Sequence, residues 1–283
     1  MKSPVFLLCS GRSGSTLLQR ALNVHPEVVM FGEHQGFLGP IADAYHSLKD
    51  HKDVRDYIYG SRALDPAMLF GELSDYKKDI SWVNNFTEND VDENFKKLVL
   101  NLLANGVDLE NVHWGFKEIR YNVNHKVVWF LINLFENAKF LTLVRSPLDT
   151  ISSVFFAWNR GHLGQEIKVD SEEFVSIIKK RIEWWTNIYL YLERSSRDYP
   201  KRFFSVQYEH LIQNYESNMK EILAHVDPGL AYNPNVANVF STQIASTSKS
   251  VGRTMVLAAI REILKSSGNQ DFHDLCVKYG YDL

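Results

Sequence analysis

The chain has 283 residues, with 31 Lys plus Arg against 34 Asp plus Glu, a formal net charge of −3, 45% hydrophobic and 13% aromatic residues. That composition can bury a substantial core, which excludes a disordered, collagen-like or coiled-coil chain. The near-neutral charge argues against a dedicated nucleic-acid binder, and two cysteines, Cys9 and Cys276, are too few for a disulfide framework or a Cys-based zinc site.

Val5 to Cys9 is a continuous apolar run that reads as a buried strand. Its five residues are too short for a signal-peptide core, and no segment approaches the ~18 apolar residues of a membrane span. A soluble, cytoplasmic protein with no membrane partner is the expectation. After Ser10-Gly11-Arg12-Ser13-Gly14, apolar residues resume at Leu17, Leu18, Ala21 and Leu22 with helical spacing, and Pro26 ends that helix. Val28 to Phe31 predicts a second strand, which delivers Gly32-Glu33-His34. From about 36 to 112 the pattern is mixed, with helical stretches around Ile41 to Leu48 and Phe95 to Leu103; this segment is read as an acceptor-binding insertion.

His113 to Ile119 predicts a strand, Val127 to Phe135 an amphipathic helix and Lys139 to Val144 a buried strand. Strand, helix and strand imply a parallel crossover. The last strand ends at Arg145, after which Ser146-Pro147 supplies an N-cap and a proline at the first helical position. Phe174 to Leu192 carries apolar and aromatic residues at helical spacing, read as core packing. Phe203 to Val206 predicts a strand, Tyr208-Glu209-His210-Leu211 enters a helix, and a further helix runs from about Met255 to Leu264. No repeat, low-complexity tract or Pro-rich linker interrupts the chain, so one domain over 1–283 is the economical reading.

The chemistry begins in the first loop. Gly11-Arg12-Ser13-Gly14-Ser15-Thr16, set between a buried strand and a helix, offers backbone N–H groups, a helix N-terminus, hydroxyls and a guanidinium to one small volume, a set suited to phosphate or sulfate. It is not a Walker A loop, because no Lys follows Gly14 and only three residues separate Gly11 from Ser15. Arg145 follows a predicted parallel strand, and Ser153 lies eight positions later in the next helix. At ~1.5 Å per residue that places Ser153 about 10 Å along the helix, a span suited to a second phosphate. Ligands of open α/β sheets bind at these strand ends.

Taken together, Arg12-Ser13-Gly14-Ser15-Thr16-Leu17 and Leu143-Val144-Arg145-Ser146-Pro147 with Ser153 resemble the sulfotransferase family that uses 3′-phosphoadenosine 5′-phosphosulfate (PAPS). Tyr208-Glu209-His210-Leu211 and Lys249-Ser250-Val251-Gly252-Arg253 extend the resemblance more loosely. It implies a three-layer α/β fold, a central parallel sheet flanked by helices with nucleotide-kinase-like topology. It also implies that Arg12, Ser13, Gly14, Ser15 and Thr16 hold the 5′-phosphosulfate, that Arg145 and Ser153 hold the 3′-phosphate, that Tyr208 lies near the adenine, and that Ser246, Lys249 and Arg253 close over the nucleotide. The product would be 3′-phosphoadenosine 5′-phosphate (PAP).

Sulfuryl transfer needs in-line attack, removal of the acceptor's proton and neutralisation of charge on the leaving oxygen. Arg12 and Lys117 are assigned as the cations, by analogy with phosphoryl-transfer clamps. Lys117 is also open to the plainer reading of a partner for Glu118. Glu33, placed by the second strand beside the first loop, is the expected base, with His34 as the competing candidate. The remaining histidines, including His46 and His51, show no metal-ligand arrangement, and no metal is expected. The leading reading is transfer to a hydroxyl or amine of a small-molecule natural product or a glycan. A kinase-like phosphotransferase and a catalytically silent nucleotide-binding module are the alternatives.

Overall fold

The computed structural model describes residues 1–52, 54, 86–158, 168–169, 171–241 and 252–283. These fall into two compact units, one of Met1–Gly36, Asp108–Asn124 and Ala138–Leu283, the other of Phe37–Val107 and His125–Asn137.

The first unit holds a five-stranded, all-parallel sheet in the order β2-β3-β1-β4-β5. Its strands are β1 (Val5–Cys9), β2 (Val28–Phe31), β3 (His113–Glu118), β4 (Lys139–Val144) and β5 (Phe203–Gln207). Every residue of β1 is buried, because helices cover both faces of the sheet and leave the central strand no polar side. Alternation then sorts its side chains. Val5, Leu7 and Cys9 share a core with Leu18, Ala21 and Leu22 of α1 (Ser15–Leu22). Phe6 packs instead with Phe116 at 4.8 Å and Phe140 at 5.5 Å between ring centroids. Gly115 of β3 lies so close to β1 that a Cβ there would overlap the Val5 carbonyl.

Helix α1 stops at Leu22, ahead of Pro26. Asn23 intervenes: its side chain accepts from Met30 N at 2.6 Å and donates to Met30 O at 3.0 Å, tying the helix end to β2. Between β4 and β5 lie α5 (Pro147–Trp158) and α6 (Glu172–Asp198). The aromatic stripe of α6 is core as read from the sequence, with Trp185 and Tyr189 buried and the Tyr189 hydroxyl donating to Leu143 O at 2.8 Å. The unit is completed by α7 (Tyr208–Gln213), α8 (Tyr215–Val226), α9 (Val236–Ser241), α10 (Gly252–Lys265) and α11 (Gln270–Lys278). The hydrophobic pattern did not single out α8, α9 or α11. Cys9 and Cys276 are both buried and unbridged.

The second unit holds α2 (Leu38–Asp50), α3 (Glu88–Leu103) and α4 (Val127–Leu134), gathered around Tyr45, whose ring meets Phe95 at 5.4 Å and Phe130 at 5.1 Å. Its hydroxyl donates to Asp92 at 2.7 Å. Among the described residues, no helix is long and apolar enough to cross a membrane.

Candidate active site

Parallel packing sends the ends of β1, β3 and β4 to one edge of the sheet, where loops carry the candidate residues. The loop after β1 reaches α1 through two left-handed residues, Arg12 at φ 66° and Gly14 at φ 94°. Gly14 suits that conformation; Arg12 does not, and must be held there. Arg145, just past β4, donates from Nη1 to Arg12 O at 3.1 Å, and Arg12 Nε donates to Ser153 Oγ at 3.0 Å. Thus the two arginines and the α5 serine meet at the first loop.

The same loop leaves donors unused. No side chain caps the N-terminus of α1, and the buried atoms Ser13 Oγ and Arg145 Nε have no hydrogen-bond partner among the described residues. An uncapped helix start flanked by two guanidiniums and orphaned polar atoms has the donors and charge to receive a doubly anionic ligand. Tyr208, at the start of α7, packs its ring against Gly14 and under the Arg145 guanidinium, 4.6 Å from the ring centroid. Glu209 accepts from Ser146 N at 2.9 Å and from the Tyr281 hydroxyl at 2.9 Å, fixing the start of α5. Ser146 is the N-cap read from the sequence, its Oγ accepting from Asp149 N at 3.5 Å.

The carboxylate cluster lies beyond β3. β3 stands between β1 and β2, so the link from Glu33 to the first loop runs through a residue of β3. Lys117 spans the gap. Its Nζ lies 2.7 Å from Glu33 Oε1 and 3.3 Å from Thr16 Oγ1, so its ion-pair partner is Glu33 rather than Glu118. Arg120 Nη1 reaches Glu33 Oε2 at 3.0 Å and Glu118 Oε1 at 2.6 Å. His34 is mostly enclosed, its side chain 11% exposed and its ring edge-on to Phe116 at 4.6 Å, and burial lowers its pKa below the usual histidine value. Burial alone would raise the Glu118 carboxyl, but amide donors from Ile119 and Gly36 and the Arg120 guanidinium outweigh it and hold the group below the usual range.

A family model described as the sulfotransferase family matches residues 4–233. The chain belongs to the sulfotransferase family. Three solved structures share the fold over 100% of this chain. The sulfotransferase domain from the Synechococcus PCC 7002 olefin synthase is 20% identical, with a TM-score of 0.56 and 97% of that chain covered. The sulfotransferase domain from the curacin biosynthetic pathway is 16% identical, at 0.55 and 99%. A sulfotransferase from Alicyclobacillus acidocaldarius is 14% identical, at 0.51 and 98%. Comparison with curated proteins finds no match.

In this sulfotransferase the candidates Arg12, Ser13, Gly14, Ser15, Thr16, Arg145, Ser153 and Tyr208 converge on one loop, and Glu33, His34 and Lys117 on its neighbour. Ser246 and Lys249 lie outside the described residues; Arg253 falls in the first turn of α10, with its side chain outside them. Sequence reading passed over Arg120 altogether and treated Glu118 only as a partner for Lys117. The available signal was two adjacent charges, Lys117-Glu118, directly after the apolar stretch Trp114-Gly115-Phe116, with Arg120 two residues on.

Proposed function

We propose that the protein transfers a sulfuryl group from PAPS to a hydroxyl or amine of a small-molecule or glycan acceptor by in-line attack. The observation that carries the donor assignment is the first loop: two arginines, Ser153 and the orphaned Ser13 Oγ and Arg145 Nε surround an uncapped helix start. Arg12, Ser13, Gly14, Ser15 and Thr16 are proposed to hold the 5′-phosphosulfate, and Arg145 and Ser153 the 3′-phosphate. Tyr208 stands beside the same loop, consistent with a place against the nucleotide. Ser246, Lys249 and Arg253 retain their proposed nucleotide contacts on sequence alone, as does the acceptor-shaping role of residues 36–112.

When bound, PAPS supplies a sulfuryl group whose bond to the 5′-phosphate oxygen breaks as the acceptor oxygen or nitrogen bonds to sulfur, releasing PAP. Glu33 takes the acceptor's proton. Lys117, in contact with both Glu33 and Thr16, joins the base to the donor loop and offers positive charge to the sulfuryl oxygens. Arg12 neutralises the leaving oxygen. His34 is the alternative base; its enclosure and its lowered pKa favour a neutral imidazole with little access to an acceptor, which supports Glu33.

Calorimetric titration with PAP, beside ATP and beside Arg145→Ala, tests the donor site. The expected result is PAP binding, no ATP binding, and affinity reduced about 10- to 100-fold in the variant, the scale of a lost charge-assisted hydrogen bond. Binding of ATP without PAP would overturn the reading in favour of a phosphotransferase.

A further inference from the structure

Glu118 is a carboxylate that the proposed chemistry leaves without a task. It is the last residue of β3 and its side chain is fully buried, a costly place for a charge unless every lone pair finds a donor. The donors are present. Oε1 accepts from Ile119 N at 2.8 Å and Arg120 Nη1 at 2.6 Å; Oε2 accepts from Gly36 N at 2.9 Å and His34 N at 3.2 Å, with His34 Nδ1 at 3.4 Å. The amides of His34 and Gly36 flank Gln35, and Gln35 and Gly36 are both left-handed, at φ 61° and 70°. The turn made by these two residues brings the His34 and Gly36 amides to Glu118 Oε2. A non-glycine residue holds such a conformation only where its surroundings dictate it.

The turn so pinned begins at Glu33. Arg120 Nη1 touches Glu118 and also Glu33 Oε2 at 3.0 Å, so Glu118 grips the backbone that follows Glu33 and, through one guanidinium, the Glu33 side chain itself. With Lys117 on Oε1 and Arg120 on Oε2, the Glu33 carboxylate has little rotational freedom.

We infer that Glu118 is a positioning residue for sulfuryl transfer, a buried anion that sets the 33–36 turn and, through Arg120, aims the Glu33 carboxylate at the acceptor. It acts through Glu33 and touches no reacting atom, and the inference rests on Glu33 being the base.

The test compares wild type, Glu118→Gln, Glu33→Gln, the double variant and Arg120→Gln. Turnover is read as PAP released from PAPS, with whichever acceptor gives the fastest wild-type rate in a panel of alcohols, phenols, amines and water; PAP affinity is measured in each protein. Glu118→Gln is expected to lower kcat about 10- to 100-fold, the scale of a misplaced catalytic group, with PAP affinity and KM for PAPS unchanged. The double variant is expected to lose no more than Glu33→Gln alone, since both substitutions remove one function. Wild-type kcat in Glu118→Gln, joint loss of kcat and PAP affinity, or an additive double variant would each overturn the inference. If Glu118→Gln does not fold, Arg120→Gln decides: a lower kcat at unchanged PAP affinity supports the link, and wild-type kcat overturns it. Wild-type kcat in Glu33→Gln would instead remove the base reading and this inference with it. An inactive Glu33→Gln beside a fully active Glu118→Gln would remove Glu118 alone.

Discussion

Gly14 shows how one residue serves two constraints. Its φ of 94° disfavours any side chain, and a Cβ there would collide with the Tyr208 ring. Gly14→Ala is therefore expected to cost about 1–3 kcal/mol of stability and to weaken PAP binding, because the loop must move away from Tyr208 and Arg145. A thermal melt and a PAP titration of one preparation check both effects. Glu33 bears a different kind of load, set by chemistry rather than by space. Glu33→Gln keeps the volume and removes the proposed proton acceptor, so kcat is expected to fall about 10²- to 10⁴-fold, with PAP affinity unchanged. Unchanged kcat would remove Glu33 from the role.

Among the elements, those that follow apolar periodicity matched their expected bounds closely. β1, β2 and β4 coincide with the runs read from sequence; β1, buried on both faces, is apolar at every position, whereas β2 leaves Phe31 exposed and β4 opens on a half-buried Lys139. Helix α3 begins at Glu88, well before the expected Phe95, because its first turns are polar and the hydrophobic pattern does not mark them. Its start is written in the capping box instead: Thr87 Oγ1 accepts from Asp90 N at 3.1 Å and Asp90 Oδ2 from Thr87 N at 2.7 Å. Thr87→Ala is expected to cost about 1 kcal/mol, read as a lowered Tm. Helix α6 likewise starts at its cap, Ser171, whose Oγ accepts from Phe174 N at 3.2 Å. Helix α11 does so at Asn269, whose Oδ1 accepts from Phe272 N at 3.0 Å.

Across the molecule, acid acts on groups far from the candidate site as well as within it. Burial lowers the pKa of both His34 and His225, so their contribution to stability is complete above the ordinary histidine value of 6.5 and is lost as pH falls through their depressed values. Asp227 is held down to about 2 by the Gly229 amide and Lys2, and its contribution is present above the ordinary 3.8 and lost as pH falls toward about 2. Stability is expected to decline on acidification in two steps. Tm measured against pH should fall first below neutrality, less steeply in His225→Gln, and again in strong acid, less steeply in Asp227→Asn. A Tm independent of pH from 6.5 downward would contradict the first step.

The sequence by itself determined the fold class, and it singled out the first loop and the two arginines that meet there. These depend on local pattern: an apolar run buried on both faces, a Gly and Ser turn opening a helix, and a cation where a parallel strand ends. It also carried Glu33, His34 and Lys117 as candidates, without their pairing. That pairing was left to the strand order, which inserts β3 between β1 and β2 and so makes Lys117 the bridge from Glu33 to Thr16. The surroundings of Glu118 were equally hidden, because the His34 and Gly36 amides reach it, and Arg120 reaches Glu33, across more than 80 positions, and such contacts leave no periodic trace in the chain. Local chemistry specifies what a segment is; only the closed sheet decides which charges meet.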